Sequence, residues 1–153
     1  MKATGMLIAM DLYSCSSELL NDFQKVEALL QDTVPNFSME PREFHLDWED
    51  GKQEYAISVI CKQGHVITHI YPQMGFVTID IFTCNSEADP DSLANQLRQI
   101  FVPDKVKITY LKRGDFGSEA DMKPRRRYNI RTIRRVYNVG NKFKKIMGKP
   151  RSL

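Results

Sequence analysis

The chain of 153 residues predicts an α+β fold: a two-layer sandwich in which two helices cover one face of a mainly antiparallel sheet. Three observations lead there. Apolar patterns run in the order β-α-β-β-β-β-α-β, so four strands follow one another between the two helices. Strand patterns outnumber helical ones. A hydrophobic content of 42% with 27% charge suits one globular domain with a core of useful size.

In chain order, "MLIAMDLY" (6–13) reads as a strand. From Ser16 as N-cap, Leu19, Leu20, Phe23, Val26, Leu29 and Leu30 recur at helical spacing and predict one amphipathic helix that ends before Pro35. Phe44, Leu46 and Trp48 alternate with polar residues, "EDGK" supplies a turn, and "YAISVIC" resumes the extended pattern, which makes a hairpin. "HVITHI" (65–70) and "FVTIDIFTC" (76–84) predict two more strands around "YPQMG", whose Pro72 and Gly75 break the ladder. Asp89 as N-cap and Pro90 in the first turn open a second helix, "DPDSLANQLRQIF", and "VKITYL" closes the domain as a strand.

Charge divides the chain sharply. Residues 1–122 hold 10 Lys/Arg against all 19 Asp/Glu, a net of −9, whereas residues 123–153 hold 12 Lys/Arg and no acid, a net of +12. The expected layout is a folded domain over 1–114, a polar joint over 115–123 and a basic amphipathic segment over 124–153. In that segment Ile130, Ile133, Val136, Tyr137, Phe143, Ile146 and Met147 fall near helical spacing, with Arg125, Arg126, Arg127, Arg131, Arg134 and Arg135 among the intervening charges. Packing on the acidic part of the chain, contact with a partner's acidic surface, a grip on nucleic-acid phosphates and an anionic membrane surface all fit such a pattern. Packing is favoured, since the complementary charge is already within the chain. No apolar run approaches the ~18–20 residues that span a bilayer, and Met1 is not followed by a signal-peptide layout, so a cytoplasmic protein is expected. Cys15, Cys61 and Cys84 contain no CxxC pair and leave one thiol over, which suits free thiols better than a disulfide framework.

The segment "KQGHVITHIYPQMGFVTIDIFTC" (62–84) carries the candidate chemistry. His65 and His69 on one strand lie ~13 Å apart, too far to share an ion with donors at ~2 Å, so no metal site is expected. A Cys/His pair is geometrically open, because Cys84 ends the strand expected to pair with the one carrying His69.

These residues resemble the short bacterial and archaeal S-adenosylmethionine decarboxylases, whose pattern is S-H-x-x-x-H-T-W-P-E-x-G-Y followed by a strand ending D-x-F-T-C. His65, His69, Pro72, Gly75, Asp80, Phe82, Thr83 and Cys84 match without a gap, and the likeness extends from the first strand, with Asp11, to Arg113-Gly114. The resemblance implies a self-made pyruvoyl cofactor. A serine attacks the preceding carbonyl and the ester eliminates, leaving a ketone that binds the substrate amine and takes up electrons as CO₂ departs. It further implies that His69 matches the processing histidine, Cys84 the proton-donating cysteine, and Gln73, Asp11 and His65 the substrate-binding positions. The serine position falls on Gly64, which has no hydroxyl, so the pyruvoyl group that the resemblance implies is not formable at Gly64. Gln73 stands for a glutamate, Ile70-Tyr71 for Thr-Trp, Leu7 for a histidine and Ala56 for a second serine. Of the other nucleophiles nearby, Cys61 is expected to face away from position 64, and Thr68 away from His69. Three functions follow as expectations: a non-processing homologue tied to polyamine (spermidine) biosynthesis, a polyanion binder working through the basic segment, or an enzyme without pyruvoyl in the same cleft. The first would pair as a homodimer or a mixed dimer with an active decarboxylase, or bind an S-adenosylmethionine-like nucleoside or a polyamine.

Overall fold

The computed structural model of the protein describes residues 5–49 and 51–114. The joint at 115–123 and the basic segment at 124–153, with its arginines, lie outside the described residues. Strands β1 (Gly5–Tyr13), β2 (Pro41–Asp47), β3 (Tyr55–Cys61), β4 (Gly64–Tyr71), β5 (Phe76–Thr83) and β6 (Lys105–Arg113) form one sheet in the order β2-β3-β4-β5-β1-β6. Every neighbouring pair is antiparallel. Helices α1 (Ser17–Leu20) and α2 (Phe23–Thr33) precede β2, and α3 (Pro90–Phe101) joins β5 to β6. The expected α+β sandwich is the observed architecture.

Alternation along each strand sorts the side chains. Ile8, Met10 and Leu12 of β1, Ile57 and Val59 of β3, Val66 and Ile70 of β4, and Val77, Ile79 and Ile81 of β5 are buried in one cluster with Val26 and Leu30 of α2 and Leu93, Leu97 and Phe101 of α3. Burial of each such side chain contributes about 1.5–3 kcal/mol before the entropy of ordering it is subtracted. Thr68 is the polar exception on this face. It is wholly buried, and its hydroxyl donates to the Ile57 carbonyl at 3.3 Å, so no polar atom is stranded. The alternate residues point to the opposite face, which no helix covers among the described residues.

The single helix expected from Ser16 onward is two. A continuous helix would give the Leu20 carbonyl to the amide four residues on; here the Tyr55 hydroxyl donates to it at 2.9 Å from β3. Asn21 folds back on the Ser17 carbonyl at 2.7 Å, and Asp22 opens α2 afresh by accepting the Lys25 amide at 3.0 Å. Ser16 precedes α1 but makes no side-chain capping bond. Apolar spacing was blind to this break because both helices present their apolar side to the same sheet. α2 ends at Thr33, ahead of Pro35, and a 3₁₀ turn, Val34–Phe37, carries the chain on.

The start of α3 is as expected. The Asp89 carboxylate accepts the Ser92 amide at 3.0 Å, with Pro90 in the first turn. The helix ends less comfortably, because its C-cap Val102 is left-handed at φ 46° and 66% exposed. A β-branched residue there is strained by roughly 1–2 kcal/mol and gains no burial in return. Val102→Gly is therefore expected to raise the unfolding free energy by about 1 kcal/mol, read as a higher denaturation midpoint at unchanged slope.

Candidate functional site

β4 carries most of the candidate residues, and its register decides where they go. His65, Ile67, His69 and Tyr71 share the open face, opposite the buried Val66, Thr68 and Ile70. Across the ladders His69 pairs with Ala56 on one side and Thr78 on the other, and Thr78 in turn pairs with Asp11. Asp11 and His69 thus lie in one row two strands apart, about 10 Å from each other. Ala56, matched above to a serine, is the direct neighbour of His69, so a hydroxyl at that position would stand beside the imidazole.

Gln73 sits exposed in a 3₁₀ turn, Pro72–Met74, that Gly75 closes at φ 58°. The left-handed conformation is cheap only without a Cβ. Beside that turn, a cleft of about 170 Å³ is lined by His69, Tyr71, Asp47, Glu49, Glu54 and Lys52, with Lys52 paired to Glu49. Tyr71 stacks on Phe76 at 5.8 Å between centroids, and Phe76 lies 5.0 Å from Tyr13, forming an aromatic row at this end of the open face. Sequence reasoning missed the cleft, whose carboxylates come from β2 and the β2–β3 loop and meet His69 only in the folded sheet.

The other matched residues lie at the far end of β4. His65 pairs with Phe82, their rings 5.3 Å apart, and the Arg113 guanidinium lies 5.6 Å from the Phe82 ring. Gly64 pairs with Thr83, and Cys84 follows with its amide donating to the Gln63 carbonyl at 2.8 Å and its thiol 3.2 Å from the same oxygen. From Gln63, the residue beside Cys84, to His69 is six residues, about 20 Å. The Cys/His pairing that the sequence leaves open is therefore corrected: within one chain His69 and Cys84 lie apart. β4 and β5 do pair, but antiparallel register sets Cys84 beside Gln63 and His69 beside Thr78. Asp11, His69 and Gln73 form one group, and Gly64, His65 and Cys84 the other.

Cys61 needs a second correction. It was expected to face away from position 64, yet the two are cross-strand partners, because Lys62 and Gln63 form a two-residue turn between β3 and β4. One sign of that turn was legible: buried Cys61 and Val66 are five apart, an odd spacing that an unbroken strand cannot give to one face. Cys61 is no better placed for attack, since burial pushes its thiol up to about 11 and leaves it protonated near neutral pH. Cys15, buried and near Asp104, is likewise pushed up to about 11. Thr68 faces the core, away from His69, as expected. Among the described residues no group of three or more His, Cys, Asp or Glu is placed to hold a metal ion.

Position 64 is tighter than the lack of a side chain suggests. A Cβ built on Gly64 would overlap the Phe82 carbonyl oxygen and stand 2.7 Å from the Phe82 carbonyl carbon.

Comparison with known proteins places the chain in a family. The sequence profile of the S-adenosylmethionine decarboxylase family matches residues 6–114. The chain is 30% identical over 116 residues to the S-adenosylmethionine decarboxylase proenzyme of Moorella thermoacetica, covering 74% of this chain and 90% of that protein. It is 28% identical over 114 residues to the proenzyme of Syntrophomonas wolfei, with the same shares covered. The crystal structure of the adenosylmethionine decarboxylase from Aquifex aeolicus superposes with a TM-score of 0.67 at 19% identity, over 74% of this chain and 93% of that one, a likeness of fold. With the family profile spanning the whole described sheet and its helices, the chain belongs to the S-adenosylmethionine decarboxylase family.

Proposed function

We propose that this chain is a non-processing member of the family, tied to polyamine biosynthesis, that remains one polypeptide without a pyruvoyl group and works as a regulatory or ligand-binding subunit. The observation that carries the reading is Gly64. It stands where the resemblance puts the self-processing serine, and it offers neither a hydroxyl to attack the Gln63 carbonyl nor a leaving group to eliminate. The residues present do not fit the cofactor. Ala56 beside His69 supports the same reading, since the second expected hydroxyl is also missing. An enzyme that uses His69 and Cys84 without pyruvoyl is disfavoured within one chain, because about 20 Å separates them along β4.

The open face supplies the means of pairing. It exposes Ile60 at 42% and Leu111 at 51%, with Leu7, Ile67 and Phe82 partly exposed between them. A second decarboxylase-like subunit stacked on this face would cover those side chains and bring its own far end over the cleft beside His69. The partner is a second copy or an active decarboxylase. Polyanion binding through the +12 of residues 123–153 is the second reading, favoured by that charge alone.

Intact mass spectrometry tests the first claim directly. The purified protein is expected at the full 17.7 kDa, or that mass less Met1, and fragments breaking beside Gly64 with a blocked N-terminus on the second would sink it. Pairing is read by sedimentation: a dimer for the full chain, shifted toward monomer by Ile60→Glu, with a monomeric unmodified chain counting against the homodimer. For the ligand, calorimetry of the full chain with S-adenosylmethionine is expected to show weak binding, since neutral Gln73 replaces a carboxylate. Gln73→Glu is expected to tighten it about tenfold, the worth of one charge-assisted hydrogen bond of ~1–2 kcal/mol. An unchanged affinity would remove Gln73 from the ligand's surroundings.

A further inference from the structure

The corner where β3 turns into β4 is tied from several sides. The Gln63 carbonyl accepts the Cys84 amide at 2.8 Å, and the buried Gln63 side chain accepts the Glu40 amide at 2.8 Å. The Lys62 amide donates to the Glu40 carbonyl at 2.9 Å, which joins the turn to the residue just before β2. One residue further on, β4 crosses the backbone of β5 at Gly64 with no space between them. A Cβ there would overlap the Phe82 carbonyl oxygen, stand 2.7 Å from its carbon and lie 3.0 Å from Thr83 Cα. All three obstacles are backbone atoms. A flexible side chain can swing aside, whereas relieving this overlap takes a shift of backbone, either of Gly64 itself, which sits at φ 158°, or of β5, which is paired along its length with both β4 and β1.

We infer that Gly64 is a closed joint: the uncut chain admits only glycine at position 64, so the missing hydroxyl is not all that separates this corner from a self-processing one. The inference rests on the reading above that the chain stays uncut, and it deepens that reading. A serine hydroxyl is carried on Cβ, and the Cβ is the atom that has no room. Returning serine to position 64 does not return self-processing unless the backbone at this joint, of β4 or of β5, rearranges first. The buried Gln63 and its bonds hold them together. The corner has become part of the fold's framework, and the face it borders is available for binding and pairing, not for cofactor formation.

Gly51 supplies the control. It is left-handed at φ 85°, and a Cβ there would meet nothing within 4 Å, so Gly51→Ala reports the backbone cost of replacing a glycine without the clash. The experiment compares the melting temperature and intact mass of the full chain with those of Gly51→Ala, Gly64→Ala and Gly64→Ser. A modest fall is expected for Gly51→Ala, and at least twice that fall, or no folded protein, for both variants at position 64. Any Gly64→Ser recovered is expected to be a single polypeptide. Gly64→Ala melting within the Gly51→Ala shift would overturn the closed joint while leaving the non-processing reading intact, and so would Gly64→Ser cut between residues 63 and 64. Cleavage of the unmodified chain is a different failure, that of the non-processing reading itself.

Discussion

The antiparallel register that holds β4 between β3 and β5 is the constraint on which the rest of the molecule depends. Side chains alternate with a period of two, so a slip of one residue would exchange Val66, Thr68 and Ile70 for His65, Ile67 and His69 in the core. The helix side tolerates no such exchange, because two imidazoles would be buried without partners. Register therefore follows from burial, and the placement of the candidate site follows from register. The Lys62–Gln63 turn pins it at one end, and the Gly75 turn pins it at the other.

Among the described residues the helices cover only one face of the sheet, and its second surface is of mixed composition. Its ends differ in charge. Asp47, Glu49 and Glu54 gather around His69 at the β2–β3 end, whereas β6, the opposite edge strand, sets Lys105, Lys107 and Arg113 in the register of this face and carries no acid. Lysines along an exposed edge discourage unwanted strand addition, so the basic row reads first as protection of the sheet. In the pairing proposed above, an acidic end and a basic edge opposed across a two-fold axis would complement each other and favour one orientation over its alternatives.

That the fold stands without a hydroxyl at position 64 or 56 has a physical explanation. Stability comes from the packed layer between sheet and helices, where aliphatic side chains are fully buried, and none of that burial depends on a hydroxyl at position 64 or 56. Position 56 lies on the opposite face beside His69, whereas position 64 lies at the end of β4 between Cys61 and Thr83, where a glycine suits the close approach of β5. Glycine at position 64 even permits a closer approach of β4 to β5 than a residue with a Cβ would allow.

Much of this was decided by the sequence alone. Period-two patterns located all six strands, and Asp89-Pro90 placed the start of α3, because these signals reside in neighbouring residues and need no knowledge of the fold. The candidate residues were likewise legible, since His65, His69 and Cys84 belong to a gapless pattern. What the tertiary structure decided is long-range. The helix break at Asn21 exists because Tyr55, more than thirty residues away, takes the Leu20 carbonyl. The separation of His69 from Cys84 exists because antiparallel pairing runs the two strands in opposite directions. The acidic cleft exists because a loop after β2 folds beside β4. At Gly64 the sequence showed that a hydroxyl was missing, and only the approach of the β5 backbone showed that its place had closed.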